Sequence, residues 1–133
     1  MKEKMILLSN RILDILGVIA LLCVISFVTT WVFTGKPSFF GYRVMHVVSA
    51  SMEPTIMTGD FVLTKVADAE NVETGDIVTY RRKNDNGELT HYTVIHRVTG
   101  KNAAGQFIFR GDNNDHNDAP VDPEQITYKV IWY

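Results

Sequence analysis

Ser49-Ala50-Ser51-Met52-Glu53-Pro54-Thr55-Ile56-Met57-Thr58-Gly59-Asp60 lies between two apolar, strand-like runs, residues 44–48 and 61–66. The small side chains of Ser49 and Ala50 allow another backbone to come close. Pro54 fixes its own φ and drives Glu53 toward an extended conformation, and Gly59-Asp60 signals a turn into the second run. Ser51 therefore occupies a constrained connection between two strands. A serine in such a connection is a nucleophile only if a base reaches its hydroxyl. Without a base it is a turn serine bonded to nearby backbone.

Downstream, short β-branched and aromatic runs alternate with turn signals. Residues 43–48, 61–66, 76–82, 88–98, 106–110 and 126–132 read as strands, and nothing after Tyr42 has a helical period. Thr74-Gly75-Asp76 repeats Thr58-Gly59-Asp60 as an entry into a strand. Asn84-Asp85-Asn86-Gly87 predicts a hairpin joining 77–82 to 89–98, because Asn-Gly tolerates the positive φ of tight turns. Residues 68–75 are polar and acidic, a surface loop or one helical turn, and residues 100–105 form a second turn-rich connection. The expected fold is a small, mainly β domain.

Upstream, the composition changes. Residues 15–33 are 19 consecutive positions without a formal charge, dominated by Ile, Leu, Val and Phe. A helix of that length spans roughly 28 Å, close to a hydrocarbon core. The run exceeds the apolar part of a usual signal peptide, and its exit, Thr34-Gly35-Lys36-Pro37, lacks a small-x-small cleavage site. A retained, single N-terminal transmembrane helix is therefore expected; a chain of 133 residues could hardly bury such a helix on every side. This divides the chain into a tail and anchor, residues 1–34, and a β-rich domain, residues 35–133.

Lys2, Lys4 and Arg11 precede the span, and Lys36 and Arg43 follow it. The bias favours an inside N-terminus, which leaves the domain on the extracytoplasmic side of the membrane. From Gly35 onward there are ten basic and thirteen acidic residues. Such a surface offers no basic patch for anionic lipid, and the whole-chain charge of −2 gives no support to nucleic-acid binding. Cys23, the one cysteine, lies within the span and excludes an internal disulfide or a cysteine metal cluster. Phe39, Phe40 and Tyr42 suit either the membrane interface or the edge of the domain core.

Four histidines are candidates for the base: His46, His91, His96 and His116. In Tyr92-Thr93-Val94-Ile95-His96-Arg97-Val98, strand alternation puts Val94, His96 and Val98 on one face and Ile95 and Arg97 on the other. A histidine on an apolar face is commonly a satisfied core residue; the upstream serine is what makes His96 a candidate base. His91 points the opposite way. His46 reaches Ser51 only if the backbone folds back sharply. Arg110-Gly111-Asp112-Asn113-Asn114-Asp115-His116-Asn117-Asp118 is rich in turn-forming side chains. A calcium loop is disfavoured, since the regular acidic spacing and distant glutamate of such loops are missing. Two readings stay open: a plain polar loop after a strand, or one aspartate that holds a histidine by its Nδ1–H and fixes the tautomer.

Taken in order, Ser-Met-Glu-Pro-Thr (51–55), Gly-Asp (59–60), Gly-Asp-Ile-Val (75–78), His-Arg-Val (96–98) and Gly-Asp-Asn-Asn (111–114) resemble a type I signal peptidase. The resemblance is closest to the endoplasmic-reticulum type, also found in archaea and as the SipW-like enzymes of Gram-positive bacteria. The usual bacterial type has a lysine where His96 stands. The resemblance implies a membrane-anchored serine endopeptidase that removes signal peptides after small residues, with signal peptides of secreted precursors as substrates. It implies membrane lipid and the translocation machinery as surroundings, and neither cofactor nor metal.

Ser51 matches the family's nucleophile, His96 its general base, and Asp118 its third catalytic residue, with Asp112 as rival or support and Asp115 still open. Family members usually continue beyond the strand matching 126–132, whereas this chain stops at Tyr133. A truncated chain, a fragment and a minimal member are the three alternatives. The rival functions are a non-enzymatic, membrane-tethered β-domain that binds exported or surface proteins, and a LexA-like autoproteolytic regulator. The latter uses a lysine base and lacks the anchor.

Overall fold

A computed structural model describes residues 2–133, with side chains from Lys4 onward. The chain separates into two units, Met1–Gly41 and Tyr42–Tyr133. The first is built on helix α1, Lys2–Thr34. It runs well beyond the uncharged stretch, because nothing between Lys4 and Asp14 is a glycine or proline that would stop a helix. Its stretch Lys4–Thr34, whose most apolar 18-residue window has a mean hydropathy of 2.6, is long and apolar enough to cross a membrane. Gly35, at φ +65°, ends the helix and donates its N–H to the Trp31 carbonyl. Phe39 and Phe40 are exposed, so they are not core residues of the β-domain. The Phe39 ring instead packs at a tilt against Phe27 of the helix, with centroids 5.1 Å apart.

The second unit is a six-stranded antiparallel sheet. Its strands are β1 (Tyr42–His46), β2 (Phe61–Val66), β3 (Ile77–Lys83), β4 (Leu89–Lys101), β5 (Phe107–Arg110) and β6 (Ile126–Trp132). All six runs read from the sequence are strands. Their spatial order is β1-β2-β6-β3-β4-β5, so the last strand inserts between β2 and β3. Single 3-10 turns occur at Ala50–Met52, Ala69–Asn71 and Pro123–Gln125; of the two readings of residues 68–75, a surface loop or one helical turn, the second of these turns is the latter.

The central strands β3 and β6 are buried on both faces over most of their first halves. Val78 and Tyr80 of β3 join Val98, Phe107, Phe109 and Ile126 in one core, while Ile77 joins Met52, Ile56, Val62 and Val130 in another. Buried Thr79, on the face of Ile77, pairs its hydroxyl with that of Thr127 at 2.7 Å, which removes the cost of an unpartnered hydroxyl.

The connections repeat two local devices. Gly59 and Gly75 both have φ +98°. The aspartate after each accepts the backbone N–H three residues back, Met57 to Asp60 Oδ2 and Glu73 to Asp76 Oδ2, both at 2.9 Å. In the two hairpin loops, Asn84 Oδ1 accepts the N–H groups of Asn86 and Glu88, and Asn102 Oδ1 accepts those of Ala104 and Gln106. Gly87 and Gly105 each close the turn at φ +80°. The hairpin pairing read at Asn84–Gly87 is therefore present, with Val78 opposite His96 and Tyr80 opposite Val94.

Candidate active site

The loop carrying Ser51 is tied at its neck and anchored from below. Val47 N–H donates to the Asp60 carbonyl and Gly59 N–H to the Val47 carbonyl, which closes the base of the loop. Fully buried Met52 and Ile56 pin it into the second core. Glu53 Oε1 accepts from the backbone N–H and the hydroxyl of Thr58. Between these fixed points Ser51 lies in the 3-10 turn Ala50–Met52, half-buried.

His96 lies on β4 with its side chain 8% exposed, on the face that carries Val98 into the first core. Its Nδ1 is 2.6 Å from Asp118 Oδ2. A carboxylate only accepts, so Nδ1 carries the proton; in the neutral imidazole the lone pair is then on Nε2. Asp118 reaches this position because its loop folds back along β5. Asp118 N–H donates to the Phe109 carbonyl, and Val121 then pairs with Phe107.

The histidine and the serine line one cleft of about 270 Å³, together with Val47, Val48 and Ile95. What brings them together is Gly111. A Cβ built there would collide with the Ser51 carbonyl oxygen and stand 2.9 Å from His96 Nε2. The two residues therefore border the same methyl-sized space, left open because glycine occupies it. The loop is clamped there by Asn113, whose N–H bonds to the Ser51 carbonyl at 2.9 Å and whose Nδ2 bonds to the Ala50 carbonyl at 3.1 Å. The small residues at 49 and 50 do admit a second backbone. The Ser51 hydroxyl itself is paired with Ser49 Oγ at 3.3 Å; no hydrogen bond joins it to His96 among the described residues.

Asp112 faces elsewhere. Its carboxylate takes two hydrogen bonds from Arg97, at 2.8 and 2.6 Å. That guanidinium holds the Asp112 carboxyl below its usual range, against the opposing effect of burial. Asp115, His116 and His91 are exposed. His46 packs at a tilt against Phe61, with ring centroids 5.0 Å apart.

The family described as signal peptidase, peptidase S26, matches residues 14–126. The chain belongs to this family. It is 32% identical over 125 residues to a signal peptidase I W of Bacillus subtilis, an alignment covering 90% of this chain and 63% of that protein. It is 29% identical over 82 residues to a signal peptidase complex catalytic subunit, SEC11, of Lachancea thermotolerans, covering 62% and 48% of the two chains. The chain thus spans about two thirds and one half of the lengths of these relatives. No solved structure matches it significantly.

For this signal peptidase family member, two residues at the site escaped the sequence reading. Ser49, taken only as a small residue, holds the Ser51 hydroxyl. Tyr80, unremarked among the strand residues, donates its hydroxyl to Asp118 Oδ2 at 2.9 Å. Strand alternation across the β3–β4 hairpin was the available signal, since it puts Tyr80 on the face of His96.

Proposed function

We propose that this chain is a membrane-anchored serine endopeptidase that removes signal peptides from exported precursors, cutting after small residues, with its β-domain on the extracytoplasmic side. Its anchor and domain divide near residues 34 and 35. The catalytic group is Ser51, His96 and Asp118, with Asp112 as a structural support. Ser51 Oγ attacks the scissile carbonyl, and its proton passes to His96 Nε2. The leaving amine then receives that proton. Asp118 keeps the other ring nitrogen protonated and stabilises the imidazolium as it forms. The Ser51 N–H is a donor to the developing oxyanion, and the substrate lies in the cleft as an extended strand. The anchor holds the domain beside lipid, where a precursor leaving the translocation machinery presents its cleavage site.

The observation that carries this reading is the 2.6 Å contact between His96 Nδ1 and Asp118, with Nε2 left facing the Gly111 gap that the Ser51 backbone also borders. The Ser51–Ser49 pairing needs only a rotation of one hydroxyl to be undone, and such contacts commonly tighten only when substrate binds. That same pairing is what a non-enzymatic, membrane-tethered β-domain would draw upon. The test is Ser51→Ala in membranes, with a co-expressed secretory precursor. The precursor should accumulate uncleaved while the variant keeps the circular dichroism of the parent; undiminished processing would remove the protease reading and leave the tethered module.

A further inference from the structure

Asp118 stands outside the strands, in the loop between β5 and β6. Its N–H bond to Phe109 fixes the main chain, but the carboxylate has two torsions of its own. Two donors meet at its Oδ2, His96 Nδ1 at 2.6 Å and the Tyr80 hydroxyl at 2.9 Å. The tyrosine is the rigid member. It is 3% exposed, sits on inner strand β3, and has its ring 4.8 Å from that of Phe109. Val78 is opposite His96 and Tyr80 opposite Val94, so Tyr80 and His96 are diagonal neighbours on one face of the sheet. Phenylalanine would fill the same volume against Phe109, so packing alone does not account for the hydroxyl. Burial first, then the charge of Asp118, push its ionisation well above the usual tyrosine value, so it remains a donor.

We propose that Tyr80 is a positioning residue that aims the Asp118 carboxylate at the His96 ring by donating its hydroxyl to Oδ2. This rests on the Ser51–His96–Asp118 reading and adds a fourth residue that acts only through Asp118. With the hydroxyl gone, Oδ2 retains a single donor, and the carboxylate explores rotamers in which the imidazole is not held. The loss falls on the proton-transfer step and not on substrate binding.

The test uses the full chain in detergent micelles and a precursor peptide spanning a cleavage site. Tyr80→Phe should lower kcat about tenfold, as expected for one hydrogen bond to a charged group, with KM within about twofold. In an Asp118→Asn background the same change should cost nothing further, because a residue acting through Asp118 has nothing left to act on. The low-field proton resonance of the His96–Asp118 bond should also move in Tyr80→Phe, and this is read equally well in Ser51→Ala protein that turns nothing over. An unmoved resonance, or equal fractional losses in both backgrounds, overturns the proposal. Processing by Ser51→Ala would instead overturn the protease reading, and the resonance would still decide whether Tyr80 orients Asp118.

Discussion

Arg97 and Asp112 clasp each other through two parallel hydrogen bonds, Nε to Oδ1 at 2.8 Å and Nη2 to Oδ2 at 2.6 Å. This happens one residue along β4 from His96, which takes Asp118. Consecutive strand residues point to opposite faces, so β4 grips two aspartates of one loop from two sides. The third arm of Arg97, Nη1, bonds to the Gly75 carbonyl at 2.9 Å, tying this loop to the turn that starts β3.

The two aspartates should therefore fail differently. Asp118→Asn cannot enforce the imidazole tautomer, and we expect processing to fall by about 10³-fold or more, with little change in unfolding temperature. Asp112→Asn breaks a partly exposed bidentate ion pair and should cost about 1–2 kcal/mol of stability while lowering processing less than about tenfold. Precursor cleavage and thermal unfolding, measured side by side on both variants, test the division; matching losses in both would refute it.

Acid should expose the same ion pair. The Asp112 carboxyl is held below its ordinary value of 3.8, chiefly by the hydrogen bonds from Arg97. A carboxyl whose folded-state pKa is depressed contributes stability that is complete above the unfolded value and is lost as pH falls through the folded one. The stability gap between the parent and Asp112→Asn should thus be constant near neutrality and shrink below pH 3.8. Denaturant midpoints of both proteins at neutral pH and below that value measure it. A gap that widens in acid contradicts the assignment.

Gly111 should tolerate no side chain, for a reason unlike that of the turn glycines. Its added Cβ meets the Ser51 carbonyl and lies 2.8 Å from Asn114 Nδ2 and 2.9 Å from His96 Nε2. Because one neighbour is backbone, the loop itself must move. Gly111→Ala should cost about 1–3 kcal/mol and, by parting Ser51 from His96, about 10²-fold in cleavage. Gly105→Ala has open space around it and only the strain of φ +80°, so it should cost about 1 kcal/mol and leave the cleavage rate unchanged. Comparable rates for the two variants would discount the contact at Gly111.

Much of the domain was readable because it is local. Asn84-Asp85-Asn86-Gly87 closes its turn through its own side chain and glycine, and alternation alone puts His96 and Val98 inside. The helix outran its apolar stretch because helix propagation responds to the absence of breakers, whereas membrane length responds to charge. The residues by themselves did not choose among Asp112, Asp115 and Asp118; only the family resemblance favoured Asp118. All three sit in one polar loop, and which of them meets His96 depends on where that loop turns back along β5.

From its amino acids alone, this protein was committed to an apolar helix ahead of six short strands, and to a serine, a histidine and an aspartate-rich loop in that order. Those features follow from neighbours in the chain, through side-chain period, turn chemistry and charge. Only the tertiary structure inserted β6 between β2 and β3, paired His96 with Asp118 and Arg97 with Asp112, and brought Tyr80 to the same carboxylate. Such contacts join residues far apart in sequence, and they are decided by which apolar faces can be buried together.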